Sequence, residues 1–232
     1  MKHLQPLAQR GFTLLEIIMV LVVIGLILGA VSIGSNMQRA ASYQRMASTF
    51  VNAWVAAYQA HFNNRGYVVG DIQDGSGNWT LKVNGSNAPT PYCGADLRSA
   101  MIAAGVSLPP GRATGFEDRY GYLDSNGNPQ DAQVCFAHVA WSVINPAGTY
   151  EVKTKNVMIL DRLTPDLARM LDNMIDGSQD ARFGSFREST LANSTATTSS
   201  DWSIDNRTAW DGRAASDDSQ VKTVKAYYLM NP

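Results

Sequence analysis

From Phe12 to Gly34 the chain reads as one apolar run, FTLLEIIMVLVVIGLILGAVSIG, interrupted by a single charge at Glu16. As a helix it extends about 34 Å, enough to cross a hydrocarbon core of roughly 30 Å. Beyond Gly34 the apolar positions thin out but keep helical spacing. Met37, Ala41, Met46, Phe50, Val51, Trp54, Val55 and Tyr58 form one face, and Gln38, Arg39, Arg45, Asn52 and Gln59 the other. The pattern predicts one long helix in two parts: a membrane-type half over 12–34 and an amphipathic half over 35–63 that packs under a sheet. Asn63-Asn64-Arg65-Gly66 ends it, with glycine as the stop.

The remainder, 64–232, reads as a single head. Residues 66–91 are rich in Gly, Asn and Asp, which predicts turns around a short strand at 79–83. A short helix follows over 96–104, closed by Gly105 and Pro109-Pro110. The clearest sheet signal is the pair of β-branched and aromatic runs at 134–144 and 149–160. Asn145-Pro146-Ala147-Gly148 turns between them, so the two make an antiparallel hairpin. A helix over 163–175 has Thr164 as N-cap, Pro165 in its first position and Gly177 as its stop. Its apolar face is Leu167, Met170, Leu171, Met174 and Ile175. The Ser/Thr-rich stretch 188–200 predicts a mobile surface loop, and 220–230 a closing strand, with Trp202, Trp210, Tyr227 and Tyr228 filling the core beneath it. The fold class is α+β: a long N-terminal helix whose second half packs on an antiparallel sheet, with no internal repeats.

Charge orients this arrangement. Lys2 and Arg10 precede the apolar run with no acid beside them, and all 20 acidic residues lie after Gly11. Positive charge ahead of an apolar helix holds that end in the cytoplasm, which places the head across the membrane. The net charge of −1 and the absence of a basic stripe argue against a nucleic-acid partner. Two cysteines, Cys93 and Cys135, permit one disulfide in an exported domain, closing a loop of about 40 residues. Two free buried thiols are the other reading.

The segment ahead of the apolar run, MKHLQPLAQRG, is short and polar and ends in glycine. A secretory signal is cut after its apolar stretch; here the glycine stands before it. A carboxylate at Glu16 costs on the order of 2–3 kcal/mol deep in a bilayer, so a plain anchor has no use for it. Gly11-Phe12-Thr13-Leu14-Leu15-Glu16 resembles the prepilin peptidase site of type IV pilins and type II secretion pseudopilins. The resemblance is strong over roughly the first 60 residues and loose over the head. It implies a leader at 1–11, cleavage between Gly11 and Phe12, and N-methylation of Phe12. Glu16 becomes the fifth residue of the mature chain and pairs with the amine of a neighbouring subunit. The implied partners are the membrane before assembly, prepilin peptidase, an inner-membrane assembly platform, and other pilins in a helical filament. The implied pilin-like head is a structural element, without catalytic residues or cofactor. The retained Glu16 argues against a tip-type pseudopilin that lacks this acid, and a pilus subunit is favoured over a secretion pseudopilin. Cys93 and Cys135 lie mid-chain rather than near the chain end as in many pilins, so no receptor-binding role carries over to the C-terminal loop. Attachment, motility, DNA uptake and secretion all stay open.

Two rival readings remain. Ala30-Val31-Ser32 offers small residues two apart to an ordinary signal peptidase, and an uncut chain would be a permanent anchor; neither uses both Gly11 and Glu16. Three scattered histidines, His3, His61 and His138, give no metal spacing. Asp124, Asn126 and Asn128 alternate oxygen ligands as calcium loops do, but the following spacing places Cys135 where such a loop needs a glutamate. A turn is the better reading. The acidic stretch Asp201, Asp205, Asp211, Asp217 and Asp218 reads as a solvated loop. Gly25, Gly29 and Gly34 suit close helix packing or local stretching of the helix, and equally ordinary tolerance.

Overall fold

The computed structural model describes residues 12–85, 90–216 and 218–231, without the side chains of 30–36. The leader with Gly11, and Asp217, lie outside the described residues. The chain divides into two compact units, Met1–Ala41 and Ser42–Pro232.

Helix α1 runs Leu14–Met46. In the first unit its apolar side chains face outward: Phe12, Leu14, Leu15, Leu21, Leu26 and Leu28 are all more than 60% exposed. Among the described residues, no helix is long and apolar enough to cross a membrane.

In the second unit the helical path continues through a π-helical turn at Ala47–Val51 into α2, Asn52–Arg65. The turn has a local cause. The hydroxyls of Ser48 and Thr49 both donate to the Arg45 carbonyl, at 3.1 and 2.8 Å, competing with the backbone ladder. From there the apolar stripe is in phase with the sheet: Met46, Phe50, Val51, Trp54 and Tyr58 are fully buried. Met37 and Ala41, which share their spacing, are exposed, and the buried stripe starts at Tyr43 instead. Gly66 ends α2 at φ +75°, its N–H donating to the Phe62 carbonyl, a left-handed cap that costs glycine little.

Among the described residues the sheet has six strands: β1 Tyr92–Cys93, β2 Arg119–Leu123, β3 Pro129–Ile144, β4 Tyr150–Leu163, β5 Phe186–Glu188 and β6 Val224–Leu229. All pairings are antiparallel, in the order β1-β3-β4-β6-β5, with β2 also on β3. The expected hairpin is β3–β4, each strand longer than its apolar run. Side chains alternate across the sheet as a pleat requires. Val134 and Phe136 face α2, α3 (Gly94–Ala103) and α4 (Pro165–Asp176); Cys135, Ala137, Val139 and Trp141 face the other way. The Phe136 ring stacks on Tyr58 at 4.9 Å. Cys93 and Cys135 sit opposite each other on β1 and β3 and are joined as a disulfide.

Four expectations change. Residues 79–83 form no strand, because Leu81 and Asn84 adopt left-handed backbone at φ 54° and 58°. The segment is held by a buried side chain: Asn156 accepts from the Val83 N–H at 3.1 Å and donates to the Leu81 carbonyl at 2.9 Å. The stretch 188–200 is not wholly a surface loop. Glu188 is the last residue of β5, and Ala192 is buried on the second sheet face, where its carbonyl accepts from the Ser142 N–H at 2.8 Å. Buried Arg187 pins this crossing, with its guanidinium 4.2 Å over the Trp141 ring and donating to Ser142. Thr164 stands at the N-cap of α4, but its hydroxyl makes no cap bond. Finally, Trp202 is buried but Trp210 is 77% exposed.

On α4 the pattern also missed Asp172, which is fully buried while Met174 is half-exposed. The Trp202 indole donates to Asp172 Oδ2 at 3.1 Å. Burial, reinforced by the carboxylates of Asp176 and Asp180, pushes the Asp172 carboxyl up to about 7. A carboxyl raised on folding binds its proton more tightly in the folded than in the unfolded state. Its contribution is therefore present at acid pH and is lost as pH rises through about 7. Asp172→Asn is expected to stabilise the head at pH 8, by about 1–3 kcal/mol, and to change little only at about pH 3, below the carboxyl's unfolded value. Denaturant midpoints of both proteins at the two pH values check this.

Candidate functional site

The motif at the N-terminus is built on the first turn of α1. Thr13 precedes the helix and its carbonyl accepts from the Ile17 N–H at 3.3 Å. Its hydroxyl accepts from the Glu16 N–H at 3.3 Å. Reciprocally, Glu16 Oε2 accepts from the Thr13 N–H at 3.2 Å and from the Thr13 hydroxyl at 3.3 Å. This is a capping box, Thr-x-x-Glu, which satisfies backbone donors that the first turn leaves open. The carboxylate also lies at the positive end of the helix dipole. The sequence held this signal in the spacing of Thr13 and Glu16, ahead of an apolar run, but it is masked by the stronger reading of Glu16 as an intramembrane acid.

Glu16 is exposed, and Phe12 is 82% exposed immediately before the cap. So the residue next to Gly11 and the acid four positions on share one helix end.

The other candidate residues serve the head. Asp124 is buried in the β2–β3 turn, and both its oxygens are occupied. Oδ1 accepts from the N–H groups of Asn126 and Asn128 at 3.0 and 2.8 Å. Oδ2 accepts from the Gln130 amide at 3.1 Å and the Val221 N–H at 3.0 Å. Asn126 donates to the carbonyls of Ser216 and Ser219. Of the three residues suspected as calcium ligands, Asp124 and Asn126 clamp the turn to the C-terminal loop, and Asn128 gives its backbone N–H to Asp124. The physical reason is that a carboxylate between four N–H donors is already neutralised in place. His61 and His138 are buried apart, each engaged by a neighbour: the Tyr67 carbonyl and Asn156. Among the described residues no cluster of three or more His, Cys, Asp or Glu forms. Asp124→Ala is expected to cost about 3 kcal/mol, since it strands several donors. It should also speed hydrogen exchange at the Asn128 and Val221 amides, measured by mass spectrometry.

Residues 7–32 match the model of the prokaryotic N-terminal methylation motif. This is the prepilin-type signature carried by type IV pilins and pseudopilins, a class of structural subunits rather than enzymes. The match covers the cap, Glu16 and most of the apolar run, and supports a pilin-like or pseudopilin protein. No curated protein and no solved structure matches the chain.

Proposed function

We propose that this chain is a structural subunit of a type IV pilus-like filament, made as a prepilin. Prepilin peptidase cuts it between Gly11 and Phe12 and methylates the new Phe12 amine. Before assembly, residues 12–34 hold it in the inner membrane with the head on the far side. In the filament the same residues form the apolar core.

The observation that carries this reading is the methylation motif over residues 7–32, with Glu16 as the sole charge from Phe12 to Gly34. The outward apolar side chains of α1 support it. A run with Leu14, Leu21, Leu26 and Leu28 more than 60% exposed needs lipid or like helices around it. Phe12 in the isolated subunit lies at the same helix end as Glu16, so an amine there gains from pairing with a neighbour's carboxylate once both leave water.

The test is the intact mass and N-terminal sequence of the protein recovered from its cell envelope. N-methyl-Phe12 is expected. An N-terminus near Ile33 means an ordinary secreted protein, and an uncut Met1 a permanent anchor; either overturns the proposal. Recovery in sheared surface filaments then separates a pilus subunit from a secretion pseudopilin.

A further inference from the structure

On the β2–β3 edge three guanidiniums converge on one carboxylate. Arg119, Arg112 and Arg162 lie 3.1, 3.5 and 3.8 Å from Asp131 Oδ2. One carboxylate oxygen cannot occupy the N–H donors of three guanidiniums, so the cluster keeps donors and positive charge to spare. Exposed Lys222 adds to it. These arginines are partly open to solvent, with side chains 32–62% exposed.

Three features hold the cluster open. Arg162 sits at the irregularity between Leu160 and Leu163 where the β4–β6 register shifts, at φ 60°. A left-handed arginine is strained by about 1–2 kcal/mol, and this backbone is clamped on both sides. The Tyr122 hydroxyl donates to the Arg162 carbonyl at 2.9 Å and accepts from the Thr164 N–H at 2.8 Å. Bulges of this kind re-aim a side chain. Gly121 lies directly across from Asp131, on the same sheet face. A Cβ there would meet nothing, and the glycine leaves open a cavity of about 470 Å³ that it lines with Arg112 and Asp131 and that adjoins the one under Trp210 through Pro129, Gln130 and Asp131. Trp210, 77% exposed, walls a cavity of about 510 Å³ that it shares with Arg162 and Asp131. Its loop is fixed rather than trailing: the Trp210 N–H donates to the Gln220 carbonyl at 2.9 Å, and the Gln220 amide to the Pro129 carbonyl at 3.1 Å.

We propose that this groove binds a short saccharide bearing a carboxylate. The guanidiniums of Arg112, Arg119 and Arg162 take the carboxylate, and the Trp210 ring takes one face of the sugar. Arginine pairs carboxylates in bidentate geometry. The cavity wall mixes the apolar surface of Trp210, Pro129 and Val221 with the polar ends of Gln130, Gln220 and Thr223, which suits a sugar ring with an apolar face and hydroxyl edges. This goes beyond filament formation and does not depend on it.

The test is calorimetric titration of the full chain in detergent micelles with digalacturonate, neutral galactobiose and oligothymidylate. Saturable binding of digalacturonate is expected with Kd about 0.1–1 mM. Galactobiose should bind at least about tenfold more weakly, the loss expected with a charge-assisted hydrogen bond. Arg162→Gly removes a guanidinium while relieving its backbone, and Gly121→Phe fills the floor without changing charge. Both, and Trp210→Ala, should weaken digalacturonate about tenfold with no loss of thermal stability. Absence of saturable digalacturonate binding, full affinity in folded Arg162→Gly, or tighter binding of oligothymidylate overturns the proposal.

Discussion

Subunits carrying Glu16→Ala are expected to be cut after Gly11 and methylated at Phe12, yet to be nearly missing from purified filaments. Two effects of the substitution must be separated. The first is local. Glu16 caps its own helix by accepting from the Thr13 N–H and hydroxyl, and loss of such a cap costs about 1 kcal/mol. The second belongs to assembly. Leaving a neighbour's amine unpaired in an apolar core costs about 3–5 kcal/mol, a loss of roughly a hundredfold or more in incorporation. Glu16→Gln resolves them, because glutamine keeps the capping box and discards the charge. Thr13→Ala does the opposite. Filament content measured by immunoblot of sheared material should fall about a hundredfold for both Glu16 variants and little for Thr13→Ala. Wild-type incorporation of Glu16→Gln would show that the cap, not the charge, is what assembly uses.

Trp54→Ala is expected to produce the largest loss of stability in the head. Trp54 is fully buried between the helical layer and the sheet, with its ring 6.4 Å from that of Phe136. Its indole N–H donates to the Glu117 carbonyl at 3.2 Å, which ties α2 to the segment before β2. Truncation leaves a cavity and strands that carbonyl, for about 3–5 kcal/mol. For a head of this size each kcal/mol moves the unfolding midpoint by about 2–4 °C, so a drop of roughly 10 °C is expected. Trp54→Phe retains most of the packing and should lose less than half as much. Thermal unfolding followed by near-ultraviolet circular dichroism reads both. A drop under about 2 °C for Trp54→Ala would mean that the helical layer and the sheet are not one cooperative core.

The α+β class, the helical path to Gly66, the β3–β4 hairpin and helices α3 and α4 were legible in the sequence. Their signals are local. Period-3.6 spacing puts Met46, Phe50, Trp54 and Tyr58 on one stripe, and period-2 alternation with Asn145-Pro146-Ala147-Gly148 sets a hairpin. The processing motif is a contiguous string, so Gly11, Phe12 and Glu16 could be picked out without any structure. The capping box of Thr13 and Glu16 stood in the same string, masked by the reading of Glu16 as an intramembrane acid.

What the tertiary structure alone decided are the contacts made across long separations. No local pattern shows that Asn156 on β4 holds residues 81–83 in a left-handed turn, or that Arg187 draws residues 188–192 over the second sheet face. Asp124 looks like a turn acid, and only the fold brings the Val221 N–H to it, 97 positions away. Trp210 reads as a core residue by composition, because an aromatic side chain is normally buried; its loop carries it outward instead. Asp172 reads as the polar side of a helix, yet the arrival of Trp202 closes water out around it. Hydrophobic periodicity reports only on which way a residue points from its own element. Which distant donor, carboxylate or ring meets it there is fixed when the elements pack, because a buried polar group must find its partner wherever the chain brings one.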